Sequence, residues 1–116
     1  MAVLQFVAPI LPGKFDQWKE FHDTMVNGGK NEAAFKDQMR RYGIKRQYVS
    51  LQKTPMGEFV VLFFEGDQPG AMMMGLGSSD NEFDKFFAEQ IKDIHGIDVN
   101  VPPPGPISEL VLEYNA

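Results

Sequence analysis

Glu58-Phe59-Val60-Val61-Leu62-Phe63-Phe64 is the stretch on which the fold turns. Six consecutive apolar residues, β-branched and aromatic, predict a strand. Side chains alternate across a strand, so Phe59, Val61 and Phe63 point one way and Val60, Leu62 and Phe64 the other. Neither face is made for water. Just upstream, Thr54-Pro55-Met56-Gly57 has the residue types of a tight turn. Before that turn, residues 45–53 alternate, with Arg46, Tyr48 and Ser50 on one face and Val49 and Leu51 on the other. Together these segments predict a hairpin in the middle of the chain.

Working outward, residues 3–10 carry Val3, Leu4, Phe6, Val7 and Ile10 and predict a first strand, broken by Leu11-Pro12-Gly13. Phe15, Trp18, Phe21 or His22, and Met25 then recur at three- and four-residue spacing, which predicts a helix over 14–26. A second helix, from Asn31 or Glu32, places Phe35, Met39 and Tyr42 on one side and stops at Gly43. Beyond the hairpin, residues 71–76 form a short methionine-rich helical segment. Ser78, Ser79 and Asp80 are the expected caps of a long helix that runs to His95 and is closed by Gly96. Its apolar face is Phe83, Phe86 or Phe87, Ile91 and Ile94. After a proline-rich loop, residues 107–114 alternate, with Leu110, Leu112 and Tyr114 opposite Glu109, Val111 and Glu113, and predict a last strand. Strand, two helices and strand thus occur twice. The expected class is α+β: one ferredoxin-like βααββααβ domain over residues 1–116, with an antiparallel four-stranded sheet and helices on one face.

Helices on one face leave the other to water, yet residues 59–64 are apolar on both sides. The second cover is expected to be the same face of another copy, in a two-fold pair; the alternative is that the loop at 102–106 folds over it. The βααββααβ order, a first strand ending in Pro12-Gly13-Lys14, and the Trp18-bearing helix directly after it resemble the dimeric α/β-barrel superfamily. That group includes stress-responsive barrel proteins and antibiotic-biosynthesis-type monooxygenases. The resemblance implies a homodimer with a pocket between helices and sheet. It also implies activities such as cofactor-independent oxygenation or isomerisation, and it assigns no catalytic residue here.

Composition narrows the partners. The net charge is −5 and no Lys/Arg run exceeds a dipeptide, which speaks against nucleic acid. There are no cysteines, which excludes disulfides, thiolate catalysis and Cys-ligated metal. No apolar run approaches the roughly 20 residues needed to span a bilayer, so no membrane partner is expected. The first ten residues read as a strand and not as a signal peptide, giving a cytoplasmic address.

Four residues are expected to line a small-molecule pocket: Trp18, His22, Tyr48 and Gln90. His22 projects between Phe15, Trp18 and Met25 on the buried face of its helix, where a neutral imidazole is either a general base or a hydrogen-bonded core-edge residue. Trp18 either packs in the core or lines a cavity, and Tyr48 belongs to a polar row beside an apolar face. Gln90 sits within an aromatic stripe, where a buried amide needs a partner. His95, at a helix end, is explained by the helix dipole, and the histidines and acids show no metal-binding spacing. The ligand expected of such a pocket is a small apolar or aromatic molecule, with no cofactor. The alternative is a non-catalytic dimeric binding or structural module whose pocket is filled by its own side chains.

Overall fold

A computed structural model describes residues 2–101 and 107–116. The chain is α+β. Strand β1 (Ala2–Ile10) leads through α1 (Phe15–Thr24) and α2 (Glu32–Arg41) into β2 (Ile44–Thr54) and β3 (Gly57–Gly66), followed by α3 (Ala71–Leu76) and α4 (Glu82–His95). The sheet has three strands in the order β1-β3-β2, and β3 is antiparallel to both neighbours.

The doubly apolar segment 58–64 accordingly lies in the central strand. Its pairings sort the faces: Leu4 opposite Phe64, Phe6 opposite Leu62 and Ala8 opposite Val60 face the helices, together with Gln47, Val49 and Leu51 of β2. Val7 opposite Val61, and Tyr48 opposite Phe63, face away from them. Val60, Phe64 and Ala8 are buried, and with Phe21, Met25, Met72, Leu76, Phe87, Ile91 and Ile94 they make one core between helices and sheet. At the hairpin, Thr54 Oγ1 accepts from the Met56 N–H and donates to the Gly57 carbonyl, while Gly57 supplies a φ of +129° that a side chain would oppose.

Two expectations are corrected. The cap of α4 is Asn81, whose side chain accepts from the Asp84 N–H; of the three expected caps, Ser79 points inward and donates to Asp84 instead. Residues 107–116 form neither strand nor helix in the chain, so the fourth strand expected at 107–114 does not join the sheet. Residues 102–106, weighed above as a cover for the outer face, lie outside the described residues. Among the described residues no helix is long and apolar enough to cross a membrane.

Candidate functional site

Between the helix layer and the sheet lies a cavity of about 90 Å³. Its floor is Phe6, Leu62 and Phe64 of the sheet; its walls are Trp18, Phe21 and Met25 of α1, Met72 and Met73 of α3, and Phe87 and Ile91 of α4. A volume of this size holds about three waters, less than the roughly 150 Å³ in which an engineered protein cavity holds benzene. Three of its walls are methionines, which are unbranched and can change shape around a guest. It has no room for a macrocycle. A wider depression of about 610 Å³ over Asp16, Lys19, Glu20, Asp23 and Gly29 lies open to solvent among charged side chains and encloses nothing.

Four polar or aromatic groups give the apolar cavity its chemistry. Trp18 and His22, one helical turn apart on α1, stack with ring centroids 5.3 Å apart, and both line the cavity. His95 lines it as well, from the end of α4. The Pro9 carbonyl lies 2.7 Å from His95 Nδ1 and can only accept, so Nδ1 carries the proton and Nε2 holds the lone pair of the neutral ring. Burial pushes the His95 pKa below the ordinary imidazole value, with the Pro9 bond opposing in part. The fourth group is Gln47, a cavity-lining residue whose Oε1 is buried with no hydrogen-bond partner among the described residues. An orphaned amide oxygen at an apolar wall is an acceptor waiting for a donor. Among the described residues no three His, Cys, Asp or Glu side chains converge on a point that would hold a metal ion.

The structure therefore brings together two of the four sequence-predicted residues, Trp18 and His22. Tyr48 lies on the opposite face of the sheet, 57% exposed and stacked on Phe63. Gln90 lies on the seam between α1 and α4, where its Oε1 accepts from Gln17 Nε2 at 3.3 Å beside the Lys14–Asp93 ion pair. His95 and Gln47 join the site instead. Gln47 was legible: alternation along β2 puts it on the face of Val49 and Leu51, a polar residue in an apolar row. His95 was not, because its place depends on α4 ending against β1, where the Leu11 N–H donates to the Ile94 carbonyl.

A second polar cluster, at the start of α4, has a structural role. The fully buried Asp84 carboxylate accepts from Gln38 Nε2, both terminal nitrogens of Arg41, the Tyr42 hydroxyl and the Ser79 hydroxyl, all within 3.1 Å. Arg41 foremost holds the Asp84 carboxyl well below the usual carboxylate range. The cluster ties α2 to the start of α4 and thereby fixes two of the helices that roof the sheet.

Comparisons with protein-family models, with curated proteins and with solved structures find no match for this chain.

Proposed function

We propose that this chain is a small-molecule-binding protein of the dimeric α/β-barrel type, taking a single-ring apolar molecule with one hydrogen-bond donor into the helix–sheet cavity. The observation that carries the reading is the Gln47 Oε1, without a partner among the described residues, in a cavity otherwise lined by apolar side chains, Trp18 and two imidazoles. A phenol matches that description in its chemistry: with the methionine walls moved outward to admit it, its ring would meet Trp18 and its hydroxyl would satisfy Gln47. The two imidazoles add the capacity to accept a proton. His22 was the base expected from the sequence, and His95 is the one that burial keeps neutral. Transfer of an activated C–H proton to an imidazole nitrogen, leaving imidazolium and a ring-stabilised carbanion while the hydroxyl keeps its proton on Gln47, is a first step open to cofactor-independent oxygenation and isomerisation.

The dimer belongs to the same reading. Val7, Val61, Phe63 and Tyr48 make an apolar strip on the face turned away from the helices, and Val7 and Tyr48 are more than half exposed. A second copy laid face to face in a two-fold pair would cover it.

Binding is tested by titrating p-cresol into the protein and following the fluorescence of Trp18, the single tryptophan, with 4-methylanisole as the comparator that lacks a donor. Saturable quenching is expected, with p-cresol preferred by about tenfold, the worth of one hydrogen bond. Gln47→Leu should erase that preference. Equal affinity for the two ligands, or no saturable quenching by either, would remove the reading.

A further inference from the structure

The helices do not cover the sheet evenly. On β1 and β3 the central residues that face them, Ala8 and Val60, are each only 1% exposed. On β2 the same face fares differently. Ile44, at the start of the strand, is buried, whereas Val49 and Leu51 remain 36% and 39% exposed. α1 packs on α4 and α4 on β1, and the later part of β2 is left with its apolar side in water.

The result is a groove beside the cavity. Its floor is Val49 and Leu51, and its wall is the face of α1 that carries Phe15, Trp18 and His22 at three- and four-residue spacing. Trp18, His22 and Val49 line the cavity yet are only partly buried, so the groove and the cavity meet at these residues. The far end is Lys53, which shares the face of Val49 and Leu51 and holds its ammonium 4.9 Å over the Phe15 ring. Among the described residues no carboxylate pairs with that ammonium, Glu58 opposite it in the ladder included. The ring takes one side of the ammonium and leaves N–H donors for an anion. Along one face of β2 the order is therefore acceptor, apolar, apolar, cation: Gln47, Val49, Leu51, Lys53, over about 20 Å of strand.

We propose that the ligand of this protein is an aryl-alkyl carboxylate: a hydroxyphenyl ring in the cavity, an alkyl tail over Val49 and Leu51, and a carboxylate on Lys53. The inference rests on the ring site proposed above and names the class of molecule that fills it. A hydroxyl on Gln47 points a para substituent along β2 toward Lys53. Phe15 bridges the distance, packed against Trp18 with ring centroids 5.8 Å apart and lying under the Lys53 ammonium. With carbon–carbon bonds of about 1.5 Å, a tail of roughly six to eight carbons covers it. The small cavity then encloses only the ring, and the groove takes the rest.

The test titrates p-hydroxyphenyl-octanoate, its methyl ester and p-hydroxyphenyl-propionate into the full chain beside p-cresol, with Trp18 fluorescence as the readout. The octanoate should bind about tenfold or more tighter than the propionate, since each methylene removed from water is worth a few-fold in affinity. It should exceed its methyl ester by roughly threefold, the worth of an exposed ion pair. Lys53→Met should erase the second difference, as should high salt. Leu51→Ser should cost the octanoate several-fold and leave p-cresol unchanged. Both substitutions fall at exposed positions outside the core. If p-cresol binds through Gln47 while the octanoate gains nothing over the propionate, or gains as much in the Leu51 and Lys53 variants, the groove is overturned and the ring site stands. Octanoate binding that depends on Leu51 and Lys53 but not on Gln47 supports the groove and removes the hydroxyl contact. Absence of saturable quenching by every ligand overturns both.

Discussion

Asp84 shows how much one side chain organises here. Five donors converge on a carboxylate that is fully buried. Asp84→Ala strips Arg41, Gln38 and Tyr42 of their shared acceptor and should lower unfolding free energy by about 3 kcal/mol in denaturant titrations. The pH dependence follows from the same contacts. The folded pKa is depressed below that of the unfolded chain, so the unfolded state binds the extra proton in acid. The stability due to Asp84 is present above about pH 4 and is lost progressively as pH falls below it. Asp84→Asn should flatten that acid limb. For His95 the shift is also downward, caused by burial, so its Cε1–H resonance should titrate below the ordinary pH of about 6.5 in NMR. A midpoint above that value would contradict the neutral imidazole assigned to the cavity. None of this was legible as a cluster: Asp84 reads in sequence as an ordinary acid in a first helical turn, well explained by the dipole alone. Its partners lie more than 40 positions away, apart from Ser79.

At the scale of elements, periodicity carried most of the reading, because three strands and four helices each repeat their apolar positions within a few residues. The helix-closing glycine at 96 is also written locally, with a φ of +72° at the end of α4. The α4 start was not, since four consecutive residues, Ser78 to Asn81, are all capping types and only packing chooses among them. The strand pattern at 107–114 was legible as a pattern, but alternation alone makes no strand: a ladder needs a paired edge, and none of the three strands pairs with these residues. Close backbone approaches are equally invisible in sequence. A Cβ at Gly66 would run into the Gly43 carbonyl where β3 meets the start of β2. Gly66→Ala should therefore cost roughly 1–3 kcal/mol in thermal or chemical unfolding, despite a gain in strand propensity.

For the whole molecule, the proposed pairing would cover the apolar strip of Val7, Val61, Phe63 and Tyr48 with a second copy. Native mass spectrometry should find twice the 13.1 kDa of one chain. Val7→Glu places a charge in the middle of the strip without touching the core, and should give monomers with an unchanged far-ultraviolet circular dichroism spectrum. A dimer that survives this change would move the interface elsewhere. Binding in the cavity is decided by a crystal structure of the full chain soaked in p-cresol. The ring is expected between Trp18 and the sheet, with its hydroxyl within hydrogen-bond distance of Gln47 Oε1. A cavity closed over by Met72 and Met73, with Gln47 bonded inside the protein and no ring density, would contradict it.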